Sequence, residues 1–235
     1  MTGNRYMTDV RAEAAVEAAQ GRAWEAAPLY VVGVDLGQSR DYTAIAVVEA
    51  KAVRAGWDGA RWEWKTERRL AVRHLERVTL GTPYQEVVER VVEVARSPAL
   101  AGRRRLVVDG TGVGRPVVDL LRRARPGCAM TAVTVTSGDG ETWRSGYVGV
   151  PKRELIVGLQ VALESGGLKI AAGLKWGAEL EKEMAEMRVR VTGSGREQYG
   201  AWREGTHDDL VFAVALAVWG AQVRTVGMMG DRRAV

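Results

Sequence analysis

Asp35, Asp109 and the pair Asp208–Asp209 are the residues of this chain best suited, by type and setting, to do chemistry. Asp35 ends the apolar run Leu29-Tyr-Val-Val-Gly-Val-Asp35, and Asp109 ends a second, Leu106-Val-Val-Asp109. Asp208 and Asp209 open a third apolar stretch, Leu210-Val-Phe-Ala-Val-Ala-Leu-Ala-Val-Trp219. Carboxylates at the ends of buried strands and at a helix N-terminus can converge above one edge of a sheet. Mg²⁺ and Mn²⁺ are hard cations that take oxygen ligands, usually from a few carboxylates. Two such ions about 3.5–4 Å apart can flank a scissile phosphate, one activating the attacking water and the other stabilising the leaving oxygen. The pattern predicts a nuclease that uses two Mg²⁺ or Mn²⁺ ions.

A two-ion site needs a bridging ligand and terminal ligands that approach from different directions. Asp35, at a strand end, is the expected bridge, and Asp109 would bind from the neighbouring strand. Asp208 or Asp209 would bind from the helix; the two point in different directions, so one of them is the expected primary ligand. Asp41, six residues after Asp35 across a short loop, could return toward the second ion. Each of these has a plainer reading. An Asp after a strand commonly forms a turn, and an Asp at a helix start complements the helix dipole for about 0.3–1 kcal/mol. The metal reading rests on the set, not on any single member.

His207, beside the two aspartates, is an accessory candidate as ligand or proton shuttle, and equally a neutral surface imidazole. His74 sits in an Arg-rich segment and reads as solvated surface. Two histidines this far apart and a single cysteine, Cys128, exclude a His-rich or Cys-based zinc cluster. Gly110-Thr-Gly-Val-Gly114 is neither a dinucleotide fingerprint nor a P-loop, and reads as a tight strand-to-helix turn with Arg115 as a phosphate contact. Lys152, Arg153, Arg188, Arg190, Arg196 and Arg203 are the other candidate DNA contacts. No serine has a nucleophile-elbow context, so acyl transfer has no support.

These side chains need particular elements to position them. Leu29–Leu36 predicts a strand covered on both faces, because its apolar residues run almost unbroken. Asp41–Glu49 and Arg61–Leu70 predict two further strands of an antiparallel meander. A helix from Tyr84 to Arg96 follows Pro83, with Val87, Val88, Val91, Val92 and Ala95 on one face. Arg105–Asp109, a helix from Pro116 to Arg123, and Thr131–Thr136 continue the chain by parallel crossovers. Ser137–Tyr147 reads as a loop, Pro151–Ser165 and Trp176–Met187 as helices, and Gly167–Ile170 as a short strand. A hairpin is expected from Met187–Thr192 and Glu197–Trp202, and a final helix from Thr206 to Val223. The fold class expected is α/β: a central mixed sheet flanked by helices, with an added hairpin near the C-terminal helix. Residues 29–223 form one domain, 1–28 a helical lead-in from Asp9 to Ala27, and 224–235 a mobile tail.

Composition agrees without deciding the matter. The 46% of apolar residues supply an ordinary core, and 34 Lys+Arg against 29 Asp+Glu give a net charge of +5, which suits a nucleic-acid partner. No apolar run reaches the roughly 18 residues of a membrane span and no secretory leader opens the chain, so a cytoplasmic protein with no membrane partner is expected.

Four segments together resemble the nuclease domain of the large terminase subunit of tailed phages, within the ribonuclease H-like superfamily. They are Val34-Asp-Leu-Gly-Gln-Ser-Arg-Asp-Tyr-Thr-Ala44, Val107-Val-Asp-Gly-Thr-Gly-Val-Gly-Arg-Pro-Val-Val-Asp119, Val150-Pro-Lys-Arg-Glu-Leu-Ile156 with Leu163-Glu-Ser-Gly-Gly-Leu-Lys-Ile170, and Gly205-Thr-His-Asp-Asp-Leu-Val211. The resemblance implies a two-metal endonuclease that cuts concatemeric viral DNA during packaging, in the bacterial host cytoplasm. It implies catalytic carboxylates at Asp35, Asp109 and Asp208–Asp209, a role for Lys152 near the site, and a hairpin around Val189–Trp202 beside the DNA. It also implies partners: double-stranded DNA, a separate packaging ATPase (the first 28 residues are too short to hold that motor), a small terminase subunit and a portal. Two alternatives share the fold: a Holliday-junction resolvase, and a non-catalytic DNA-binding or assembly module. An actin-like or sugar-kinase domain fits less well, because that fold usually repeats.

Overall fold

The computed structural model describes residues 27–37, 41–100, 102–112, 114–191, 197–200 and 207–222, with the backbone alone for 188–191 and 197–200. The expected N-terminal helix, the C-terminal tail, Arg196 and Arg203 lie outside the described residues.

The described residues open with a meander, β1 (Leu29–Asp35), β2 (Ala44–Asp58) and β3 (Glu63–Arg77). It continues through α1 (Tyr84–Arg96), β4 (Arg103–Asp109), α2 (Gly114–Ala124) and β5 (Ala129–Thr136). Then come β6 (Thr142–Arg144), β7 (Tyr147–Pro151), α3 (Lys152–Glu164), β8 (Leu168–Ile170) and α4 (Gly177–Glu186). A separate hairpin, β9 (Arg188–Val191) with β10 (Glu197–Gly200), precedes the last helix, α5 (Asp209–Gln222). Eight strands make one mixed sheet in the order β6-β7-β5-β4-β1-β2-β3-β8. β1 lies inside it, antiparallel to β2 and parallel to β4.

β1 shows why its sequence runs apolar without alternation. Val31 enters the core beneath α5 and α3, while Val32 and Val34 enter the core beneath α1 and α2, all fully buried. Both faces are covered, so no position along the strand is left for a polar residue. α5 is apolar all round for the same reason, since every residue from Asp209 to Ala221 is buried. Burying each Val or Leu of this layer contributes about 1.5–3 kcal/mol.

Two glycines set how closely α5 approaches. A Cβ on Gly33 would stand 2.1 Å from the Ala213 carbonyl oxygen, and one on Gly220 would stand 2.5 Å from a Val107 methyl. The helix therefore rides directly on β1 and β4. Its N-terminal half lies over Gly33 and its C-terminal end over Val31 and Val107, so it runs antiparallel to both strands. That direction brings Asp208 and Asp209 to the strand ends that carry Asp35 and Asp109.

Two stretches differ from the sequence expectation. β2 and β3 each extend to 15 residues, and the ladder from Lys51/Arg69 to Asp58/Glu63 continues past the edge of β1 as a two-stranded arm. Each strand of the arm pairs with the other along its inner edge and leaves its outer edge to solvent, so the arm needs no apolar signature. The segment 137–147 is not only loop: β6 and β7 pair within and beyond it, and β7 joins β5 in parallel. The Arg103–Arg105 cluster begins β4, at the end far from Asp109, and Arg105 is buried with its guanidinium on the Gly220 carbonyl. That contact secures the C-terminal end of α5.

Candidate metal centre

Strand register is the first determinant of the site. β1 and β4 pair in parallel with Val34 opposite Val108, which puts Asp35 and Asp109 side by side at one sheet edge. After Asp35 the chain must reverse sharply. A Cβ on Gly37 would lie 2.2 Å from the Asp41 carbonyl oxygen, and the Gly37 N–H donates to Thr43 Oγ1 at 3.2 Å. This tight return brings Asp41 to the same edge, exposed to solvent.

Asp109 is held by its own turn. Its Oδ1 accepts the Thr111 N–H at 2.8 Å and the Thr111 hydroxyl at 2.5 Å, an Asx-turn closed by the side chain. Thr111 Oγ1 in turn accepts the Val135 N–H at 2.8 Å, tying Asp109 to β5. Gly114 starts α2 close behind, with the position of a Cβ only 2.7 Å from the Asp109 carbonyl oxygen.

The helix end supplies the other two carboxylates. The Asp208 carbonyl accepts the Phe212 N–H at 2.9 Å, so α5 begins there and its positive dipole end faces the acidic side chains. Asp208 is half-buried, with Oδ2 3.3 Å from Lys152 Nζ. That ammonium also sits 4.9 Å above the Phe212 ring. Asp209 is 4% exposed, and its Oδ2 has no hydrogen-bond partner among the described residues. Ligand atoms of Asp41, His207 and Asp209 all lie within 4.8 Å of one another. His207 Nδ1 is 3.6 Å from Asp209 Oδ2, and its ring meets Tyr42 edge-on with centroids 5.2 Å apart.

Electrostatics record the crowding. The Asp35 carboxyl is raised well above the usual carboxylate range, first by burial and then by Asp109, Asp209 and Asp208, against the opposing pull of Lys152. Burial raises Asp109 too, opposed by Thr111 and Lys152. Asp209 is pushed up to about 6 by burial, despite Arg77 and His207. An edge that gathers this many carboxyls and leaves a buried oxygen without a donor suits a cation, whose charge would offset both costs.

The other expected contacts scatter. Arg115 is exposed on α2, its guanidinium 5.5 Å from the Tyr147 ring centre, and Arg153 is exposed on α3. Arg188 and Arg190 lie on the backbone of β9, opposite Gly200 and Gln198. His74 is half-buried, with Nε2 3.1 Å from Glu76.

Sequence reading missed Arg77 and Glu183. Arg77 ends β3 and meets Glu183 of α4 in a buried ion pair, 3.7 Å from Asp209 Oδ2. One signal was available for Glu183: it interrupts the stripe Leu180, Met184, Met187 at helical spacing, where an apolar residue belongs. Arg77 carried none, since it closes a segment already rich in arginine.

A family model described as the terminase RNaseH-like domain matches residues 32–219. The chain belongs to this family. The large terminase nuclease of thermophilic phage G20c with bound magnesium is similar in fold (TM-score 0.55, 23% identity, 82% of this chain and 81% of that one). The same nuclease with bound cobalt aligns over the same shares, at TM-score 0.55 and 23% identity. A mutant nuclease domain of the large terminase subunit of bacterial virus Sf6, with manganese and beta-thujaplicinol, aligns at TM-score 0.53 and 16% identity over 86% of this chain and 92% of that one. These identities make the likeness one of fold: the mixed sheet and flanking helices are those of a ribonuclease H-like terminase nuclease domain. No curated protein sequence matches the chain. No helix among the described residues is long and apolar enough to cross a membrane.

Proposed function

We propose that this terminase-family domain is a divalent-metal-dependent endodeoxyribonuclease that hydrolyses phosphodiester bonds of double-stranded DNA. The observation that carries this reading is the convergence of Asp35, Asp109, Asp208 and Asp209 at one sheet edge, with Asp209 Oδ2 buried and given no hydrogen bond among the described residues. Asp35, Asp109 and one of Asp208 and Asp209 would hold one cation. Asp41, His207 and Asp209 offer ligand atoms close enough together for a second. An all-carboxylate group with one imidazole suits Mg²⁺ or Mn²⁺, and the bound magnesium, cobalt and manganese of the fold relatives agree with that choice. When bound, such ions supply a nucleophilic water at neutral pH and charge stabilisation for the leaving oxygen.

The protein's own groups orient and balance this site. Asp35 is central, its carboxyl raised by Asp109, Asp209 and Asp208 together. Thr111 fixes the direction in which Asp109 presents its oxygens. Lys152 offsets part of the negative charge and stands where it can meet a phosphate of the DNA. Arg115, Arg153, Arg188 and Arg190 of β9, and also Arg196 and Arg203, would track the DNA backbone and make binding salt-dependent. Within the family's setting, the DNA would be concatemeric viral DNA, and a packaging ATPase, a small terminase subunit and a portal would deliver it.

Cleavage of supercoiled plasmid by the purified chain with Mn²⁺, Mg²⁺ or EDTA, beside Asp35→Asn, tests the reading. Metal-dependent nicking and linearisation lost in the variant support it. Cutting that persists in EDTA, or is unchanged in Asp35→Asn, rejects it.

A further inference from the structure

Arg77 and Glu183 form a buried pair directly behind the proposed metal ligands. Side-chain exposures are 11% for Arg77, 5% for Glu183 and 6% for Asp209, so the three charges share one poorly solvated pocket. The guanidinium lies between two aromatic faces, 4.9 Å from the Tyr42 ring centre and 5.8 Å from that of Trp176. Within reach it has two carboxylates. It bonds Glu183, while Asp209 Oδ2 stands 3.7 Å away, within ion-pair range but beyond a hydrogen bond.

Glu183 has a second anchor. Its Oε2 accepts the Val211 N–H at 3.0 Å, one of the donors left without an intrahelical partner at the start of α5. The same carboxylate therefore fastens the end of β3 to the N-terminus that carries Asp208 and Asp209. Asp209 gains the nearby positive charge without giving an oxygen to it, which agrees with Oδ2 having no hydrogen-bond partner among the described residues.

We propose that Glu183 is a positioning residue: it holds the Arg77 guanidinium off Asp209 and so keeps that carboxylate available to a divalent cation. This rests on the metal-nuclease reading above. The physical reason is competition in a low-dielectric pocket. A guanidinium deprived of Glu183 still has the Asp209 carboxylate within ion-pair range, and an Arg–carboxylate pair is strong enough to displace a weakly held ion. Arg77 thus has to be paired elsewhere for the site to fill.

Mn²⁺ binding to the full chain by titration calorimetry, with plasmid nicking alongside, tests this. Glu183→Gln is expected to lower Mn²⁺ affinity by about tenfold or more, the scale typical of residues that orient metal ligands. Saturating Mn²⁺ should recover its nicking. Adding Arg77→Met to Glu183→Gln removes the released cation and should restore affinity to near the wild-type value. A merely structural role would give no such rescue. If Glu183→Gln does not melt cooperatively, Glu183→Asp serves in its place, because the shortened carboxylate cannot span both Arg77 and the Val211 N–H. Unchanged affinity in the single variant, or no recovery in the double, overturns the proposal while leaving the nuclease reading intact. A wild-type chain that binds no Mn²⁺ overturns both.

Discussion

Lys152 Nζ lies 3.3 Å from Asp208 Oδ2, and it is the cation that opposes the raised pKa of both Asp35 and Asp109. One ammonium at the start of α3 therefore balances carboxylates from two strands and a helix. Its charge is exposed enough to be partly screened, so its worth to stability is small. Lys152→Met, which keeps the aliphatic stem over Phe212, should lower metal-free stability by no more than about 1 kcal/mol. The melting-temperature gain on adding Mn²⁺ should exceed that of wild type, because the ions then relieve more repulsion. Equal gains in the two proteins would place Lys152 outside the field of the site.

Thr111 offers a test of ligand orientation. Thr111→Val keeps the side-chain shape but removes the hydroxyl that bridges Asp109 to the Val135 N–H. Loss of such a supporting partner typically costs about 10–100-fold in metal affinity or activity. Nicking rates measured across Mn²⁺ concentrations should fall by that order, with circular dichroism unchanged. A rate equal to wild type would show that the Thr111 backbone N–H alone suffices to aim Asp109.

The crowded carboxyls predict an unusual pH dependence. Asp35 and Asp109 are raised, Asp209 stands at about 6 and Glu183, pushed up by burial, at about 7. Unfolded carboxyls ionise near pH 4, so between about pH 4 and 7 the native state holds more protons than the unfolded state. Stability in EDTA should therefore fall as pH rises through that window. Melting temperatures from pH 5 to 8 measure it, and the decline should be shallower in Asp35→Asn. Divalent ions bind the ionised form, so their stabilisation should grow with pH. Melting temperatures in EDTA that rise with pH would contradict the geometry of the cluster.

Gly33 should tolerate no side chain. The Cβ of Gly33→Ala would meet backbone of α5 at 2.1 Å, and a helix backbone cannot yield as a flexible side chain can. Overpacking of this kind costs about 1–3 kcal/mol. Moving α5 outward would also carry Asp208 and Asp209 from Asp35, so the variant should lose metal-induced stabilisation along with stability in urea. A variant that loses stability but keeps its full metal response would mean that α5 pivots about its N-terminus instead of lifting.

Much of the protein could be read from its residues alone. The unbroken apolar run of β1, the all-round apolar α5 and the aspartates that end β1 and β4 are local facts, because burial on one or two faces imprints directly on spacing. Those patterns gave the α/β class, the meander followed by crossovers, and Asp35, Asp109, Asp208 and Asp209 as the residues to watch. The extension of β2 beyond Glu49 and the short strands β6 and β7 left no such imprint, since backbone pairing at an edge demands no particular side chains. Only the tertiary structure decided which distant groups share a pocket. The approach of α5 over Gly33 and Gly220, the return of Asp41 past Gly37, and the pairing of Arg77 with Glu183 across 106 residues all depend on packing between elements far apart in the chain. Sequence fixes what each element can bury; which buried charge faces which is set by the distances at which those elements finally meet.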